Sequence, residues 1–224
     1  IIPCYNEEKT IEKIINKILD LKDLNLEIII VDDNSTDSSR IIIDTKLKDK
    51  IHKLILNDNN YGKGYSIRKG IEAATGEILI IQDADLEYDP KDYQKLLEPI
   101  KLGVADVVYG SRFIGSEKKR VLYFWHTLGN KFLTLISNIF TNLNLTDMEV
   151  GYKVFKTDII KNIVLKENRF GFEPEITAKI AKKNLRIYEV GISYFGRKYV
   201  DGKKITWKDG FSAIRCILKY NLFD

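Results

Sequence analysis

Three times in the first ninety residues, a short apolar run stops abruptly in a cluster of acids and amides. Ile78-Leu79-Ile80-Ile81 gives way to Gln82-Asp83-Ala84-Asp85-Leu86-Glu87. Glu27–Val31 gives way to Asp32-Asp33-Asn34-Ser35-Thr36-Asp37, and Ile1–Pro3 to Cys4-Tyr5-Asn6-Glu7-Glu8. Apolar runs this short and uninterrupted suit strands covered on both faces, which are the strands of parallel sheets. The stretches between them have helical periodicity, so the order is strand, helix, strand, helix. That order predicts an α/β fold with an open, mostly parallel (mixed) sheet flanked by helices. Ligands of such sheets bind beyond the carboxyl ends of the strands, where this chain places its polar clusters.

The remaining elements follow the same logic. Ile11, Ile14, Ile15, Ile18 and Leu19 predict a helix over Lys9–Leu21. A helix through Ile41–Ile43, a strand near Lys53–Leu56, a helix over Gly64–Ala74 and a strand over Glu77–Gln82 come next. Asp89-Pro90 is an N-cap followed by proline at the first helical position, and it opens a helix to about Leu102. Val107–Tyr109 is a further strand. In the second half, Val121, Trp125, Leu128, Phe132, Leu135, Ile136 and Ile139 share one face of a helix over Val121–Phe140. That face is either core or a membrane-interface surface. Gly129, Asn130, Lys131 and Asn138 argue against a transmembrane span. A helix near Glu173–Lys183, a strand near Arg186–Tyr194 and a helix near Trp207–Tyr220 complete the chain.

With 224 residues, 44% of them hydrophobic, the chain suffices for one compact domain. We divide it at residue 115, with the ligand clusters in 1–115 and a different character in 116–224. The net charge of +4 is too mild to indicate a nucleic-acid partner. The charge is unevenly spread, however: Arg197–Lys219 holds seven basic residues against two acidic ones. Such a patch suits phosphates or an anionic membrane surface, or is a solvated tail. Cys4 and Cys216 have no metal-type spacing and fit a reducing compartment, as does the lack of a signal-peptide pattern. The expected location is cytoplasmic, peripheral at the membrane face. The first residues read as the end of a strand, so a few residues are expected to precede Ile1.

The acids specify chemistry. If the strand continued, Asp83, Asp85 and Glu87 would share a face and converge on one hard cation. Mg²⁺ or Mn²⁺ prefers such oxygen ligands together with substrate phosphates. A carboxylate of the Asp32–Asp37 cluster, at a strand end, can accept hydrogen bonds from ribose hydroxyls or a base edge. Ser35, Thr36 and Asp37 have the alternative role of helix caps.

Pro-x-Tyr-Asn-Glu, Val-Asp-Asp-x-Ser-x-Asp and Asp-Ala-Asp-Leu-Glu, in this order and spacing, resemble the family 2 glycosyltransferases of GT-A fold. Within that family they are most similar to dolichol- and polyprenyl-phosphate mannosyl- and glucosyltransferases. The resemblance implies a metal-dependent, inverting transfer of a hexose from GDP-mannose or UDP-glucose. It implies that Pro3, Tyr5, Glu7 and Asp32 hold the nucleoside, and that Asp83, Asp85 and Glu87 hold metal and diphosphate. The lipid-phosphate enzymes often carry Gln where Glu87 stands. Arg112, in Gly110-Ser111-Arg112-Phe113, is implied to reach substrate phosphate, as a guanidinium does through paired donors. Arg197 and Lys204 match basic positions facing the diphosphate or the acceptor phosphate. Where the relatives carry an Arg and a Ser before a Gly-x-Asn segment, this chain has Leu122–His126, and Arg120 or His126 stands in.

A hydroxyl acceptor needs a general base, whereas a phosphate acceptor is already anionic. Relatives that use hydroxyls often carry Gln-x-x-Arg-Trp late in the chain. Here neither of the two glutamines, Gln82 and Gln94, begins that pattern, so a polyprenyl phosphate is the expected acceptor. Asp147-Met148-Glu149 and Glu173-Pro174-Glu175 hold the candidate bases should the acceptor be a hydroxyl of a glycan, lipid or protein. A non-catalytic nucleotide-sugar-binding subunit is the third reading.

Overall fold

The computed structural model describes residues 1–115, 118–121, 123–197 and 207–224, without the side chains of 207 and 208. Lys204 and most of the basic stretch after Arg197 lie outside the described residues.

Strands β1 (Ile2–Cys4), β2 (Ile29–Asp32) and β3 (Lys53–Leu56) pair in parallel in the order β1-β2-β3. The β2 residues are buried on both faces, as an uninterrupted apolar run requires. Strand β4 (Ile78–Ile80) adjoins β1 through two hydrogen bonds, Ile1 N to Ile80 O (2.8 Å) and Gln82 N to Ile1 O (2.9 Å). It begins the second half of the sheet, ordered β4-β6-β5-β7, with β5 at Val107–Ser111, β6 at Lys153–Lys156 and β7 at Ile187–Gly191. The chain therefore builds outward from β1 in one direction and from β4 in the other. The crevice between them is the topological switch point of the sheet.

Helices α1 (Ile11–Leu19), α2 (Ser39–Ile42, continued by a π turn over Ile43–Leu47), α3 (Lys63–Ala73) and α4 (Tyr93–Lys101) connect the strands near their predicted positions. In α1, Ile11, Ile14, Ile15 and Ile18 are all buried. Each contributes about 1.5–3 kcal/mol of transfer free energy. Asp89 caps the 3₁₀ turn at Pro90–Asp92 through Lys91 N, as predicted.

Three departures from the sequence expectations bear on the site. First, β6 was not foreseen. It lies between β4 and β5 and pairs antiparallel to both, which makes the sheet mixed. Its lysines hid it: Lys153 is buried, and its Nζ donates to the carbonyls of Met148 (3.1 Å) and Val150 and lies 4.8 Å over the Tyr109 ring. Second, β4 stops at Ile80, and the chain turns through Ala84-Asp85, with Leu86 left-handed at φ 64°. Such a conformation costs a non-glycine residue about 1–2 kcal/mol and is maintained by the surroundings. Strand alternation therefore does not relate Asp83, Asp85 and Glu87. Third, α5 (Phe124–Thr141) buries Thr134 and Ser137 while Phe124, Trp125, Phe132, Leu135 and Ile139 are exposed. The apolar face is mostly surface, not core. Helices α6 (Thr157–Lys161), α7 (Phe172–Ala181) and α8 (Trp207–Leu222) complete the order, with α8 packed on α5 and α7.

Candidate active site

A cleft of about 1200 Å³ opens over the carboxyl ends of β1 and β4. Pro3, Tyr5 and Glu7 line it from the first loop and Asp83, Asp85 and Glu87 from the second, with Arg112 and Arg197 alongside. Seven of the residues picked from sequence, drawn from both halves of the chain, meet there with Pro3.

The loops are held by polar contacts between distant parts of the chain. Asn6 adopts a left-handed conformation (φ 51°), which asparagine tolerates, and its side chain accepts from Thr36 N at 2.8 Å. Asp32 is fully buried and does not line the cleft. Its Oδ2 accepts from Ser35 N (3.1 Å) and pairs with Arg40, while Oδ1 has no partner among the described residues. Its neighbour Asp33 lines the cleft instead, and its carboxylate accepts from Tyr61 N (3.0 Å), Gly62 N (2.6 Å) and Asn57 Nδ2 (2.8 Å).

The acids of the 83–87 turn divide between two cations. Lys63 Nζ sits 2.9 Å from Asp83 Oδ1 and 3.1 Å from Glu173 Oε1. Burial works against its charge, but Asp83 and Glu173 more than offset this and hold the ammonium above its ordinary range. Arg197 meets Asp85 Oδ2 at 2.9 Å and Glu7 Oε2 at 3.1 Å. Glu87 accepts from Arg197 N (2.7 Å) and from the Tyr194 hydroxyl (3.2 Å). Lys63 was missed in the sequence. The available signal was Gly62-Lys63-Gly64, where Gly62 has φ 104° and both glycines pack against the backbone of residues 167–169 too closely for any Cβ.

The donor set fits a hard divalent cation. Asp83 and Asp85 are oxygen donors on one turn facing the cleft. Burial, followed by the nearby Asp83 and Glu87, pushes the Asp85 carboxyl up to about 7 against the pull of Arg197, an excess of negative charge that a cation relieves. Among the described residues no cluster of three acids, histidines or cysteines is disposed to hold an ion alone. Glu87 is turned toward Arg197 and Tyr194. Two carboxylates plus substrate phosphates is the usual arrangement for Mg²⁺.

Arg112 and Asp147 form a buried bidentate pair, Nε to Oδ2 at 2.6 Å and Nη2 to Oδ1 at 2.7 Å. With its amide oriented to satisfy both, Asn130 accepts from Arg112 Nη2 (2.6 Å) and donates to Asp147 Oδ1 (3.3 Å). Asp147 is thus occupied on both oxygens, which disfavours a role as base. Glu149 and Glu173 line the cleft, and each has one buried oxygen without a partner among the described residues. Gly151 brings this segment against the acid turn. A Cβ there would lie 2.3 Å from Asp83 Oδ2 and 2.8 Å from the Tyr88 ring. Gly151→Ala is expected to displace Asp83 and lower turnover by ~10-fold or more, since ångström-scale misplacement at a reacting centre is costly. Steady-state kinetics on the folded variant checks this, and wild-type turnover would refute the close packing.

A mixed open sheet with acid-ended strands around a cleft at its switch point is the GT-A glycosyltransferase architecture. Residues 1–164 match the model for Glycosyl transferase family 2, and the chain belongs to that family. It is 28% identical over 222 residues to a dolichol-phosphate mannosyltransferase of Pyrococcus furiosus, covering 98% of this chain but 62% of that enzyme's length. It is also 28% identical over 215 residues to an undecaprenyl-phosphate mannosyltransferase of Micrococcus luteus, covering 91% of this chain and 85% of that one. Its fold superimposes on glucosyl-3-phosphoglycerate synthase of Mycobacterium tuberculosis, solved with Mn²⁺, UDP and product, with a TM-score of 0.76 at 18% identity, over 98% of this chain and 78% of that one.

Proposed function

We propose that this chain transfers a hexose from GDP-mannose or UDP-glucose to a polyprenyl phosphate, with inversion at the anomeric carbon. The observation that carries this reading is the continuity of one cleft from a charged floor to an apolar mouth. Asp83, Asp85 and Arg197 line the floor, and Val121, Trp125 and Phe132 line the mouth. Trp125 is 75% exposed and Phe132 53% exposed, which suits contact with a lipid chain or the membrane interface. The arrangement proposed is contact of this exposed apolar face with the membrane surface; among the described residues no helix is long and apolar enough to cross a membrane.

Asp83 and Asp85 would hold Mg²⁺ or Mn²⁺ together with the diphosphate. When bound, such a metal would supply positive charge to offset the charge that develops on the leaving nucleoside diphosphate. Glu7, Asp85 and Glu87 hold Arg197 beside that group, where its guanidinium binds phosphate. Pro3, Tyr5 and Asp33 frame the nucleoside, with Asp32 buried behind them. Arg112, oriented by Asp147, faces the acceptor side. An anionic acceptor oxygen attacks the anomeric carbon as the bond from that carbon to the diphosphate breaks, and no proton need be removed.

The test is product formation from GDP- and UDP-hexoses with Mn²⁺ or Mg²⁺, using polyprenyl phosphate in vesicles alongside a panel of sugar hydroxyls. Lipid-linked sugar is expected, with Trp125→Ser/Phe132→Ser losing vesicle binding. Transfer only to hydroxyls would overturn the acceptor, and nucleotide binding without turnover on any acceptor would favour a non-catalytic subunit.

A further inference from the structure

We infer that Glu149 reads the hydroxyl groups of the sugar being transferred and so sets the donor's sugar specificity. The inference rests on the reading that the cleft takes a nucleotide-sugar.

Position is the first reason. Glu149 lies two residues before Gly151, whose α-carbon packs against Asp83 so closely that an added methyl would meet Oδ2 at 2.3 Å. The 149–151 segment therefore borders the place proposed for the diphosphate. The sugar is bonded directly to that group and must fall beside this wall.

The second reason is an unmet bonding capacity. Glu149 lines the cleft. Its Oε1 is shut off from solvent and has no partner among the described residues. An unsatisfied buried polar group costs roughly 1–3 kcal/mol, and native proteins retain few of them without a purpose. Glu173 Oε2 on the same wall also has no partner among the described residues, although Lys63 holds its other oxygen.

Chemistry narrows the ligand. Burial, then the neighbouring Glu173, push the Glu149 carboxyl up to about 8. This favours the protonated form, which offers one donor and one acceptor. A sugar hydroxyl offers the same pair in return, whereas phosphate oxygens are acceptors only. The segment is also fixed in place: buried Lys153 donates from Nζ to the carbonyls of Met148 and Val150, on either side of Glu149. A group that discriminates between epimers needs such a rigid mount.

The test measures binding without any acceptor, by calorimetry in Mn²⁺. The ligands are GDP and UDP, their mannose, glucose and galactose conjugates, and the corresponding deoxy-sugar conjugates. Glu149→Ala is expected to bind the free nucleoside diphosphate as the wild type does. It should bind the preferred nucleotide-sugar ~10-fold or more weakly and lose discrimination against one deoxy analogue or epimer. Glu149→Gln, which retains a donor and an acceptor, should keep most of that discrimination. If Glu149→Ala does not fold, the near-isosteric Glu149→Met carries the same expectation. An unchanged ratio of nucleotide-sugar to nucleotide affinity in the Ala or Met variant would overturn the inference and leave the proposed function standing. Loss of turnover with donor selectivity intact would also overturn it, pointing to a base instead. Wild-type protein that binds nucleoside diphosphate with no preference for any sugar conjugate would overturn both.

Discussion

Asp85→Asn is expected to reduce turnover by ~10²–10³-fold, the scale of losing one preorganised electrostatic group at a reacting centre, without lowering the melting temperature. Asp85 is crowded by Asp83 and Glu87, and its carboxylate is sustained mainly by Arg197. Asparagine keeps the shape and the acceptor oxygen for Glu87 N, which now bonds Asp85 Oδ1 at 3.0 Å. It removes a repulsive charge, and Arg197 keeps Glu7 and Glu87 as partners. Stability should hold or rise while metal-assisted diphosphate binding fails. Melting curves, turnover, and nucleotide affinity with and without Mn²⁺ separate these effects. Full activity, or an undiminished gain in affinity from Mn²⁺, would remove Asp85 from the metal site.

The second large effect is on stability. Asp147→Ala is expected to cost about 3–5 kcal/mol, the usual penalty for stranding one member of a buried ion pair. For a domain of this size that corresponds to a fall in melting temperature on the order of 10 °C. Asp147 is fully buried, and it accepts from Arg112 Nε and Nη2 and from Arg112 N (3.1 Å). The charge left behind is also largely buried. Burial works against the Arg112 charge, and Asp147 more than offsets it, keeping the guanidinium above its ordinary range. Arg112→Met/Asp147→Ala should recover most of the stability and none of the activity, because it removes both charges together with the group facing the acceptor. If Asp147→Ala melts like the wild type, the pair is not structural. If it does so while losing turnover, a role as base is restored.

These two predictions differ in how far they were legible in sequence. The donor-side acids could be read directly, because a run such as Ile78–Ile81 must be buried and the polar residues after it must leave the sheet at its edge. Alternation along a continued strand was the wrong reason for grouping Asp83, Asp85 and Glu87. The strand ends at Ile80 and the turn through Leu86 sends the three side chains to different partners. Asp147 read as a candidate base because nothing local shows that Arg112, 35 residues away, takes both of its oxygens. Helix α5 read equally as core or interface. Its period is the same in both cases, and only packing against α7 and α8 showed that Thr134 and Ser137 face inward.

The sequence by itself determined which apolar runs of the first half form strands, which acids follow them, and hence the fold class and the family. These properties follow from local contiguity of apolar residues and from the steric rules of a parallel sheet. Only the tertiary structure decided the pairings. Lys63 meets Asp83 and Glu173, Arg197 reaches Glu7 across 190 positions and Asp85 across 112, and Glu149 Oε1 has no partner among the described residues. Charged side chains have no periodicity that encodes a distant partner. Which charges are buried together is settled by the pairing of β6 between β4 and β5, which brings the 149–151 segment against the acid turn.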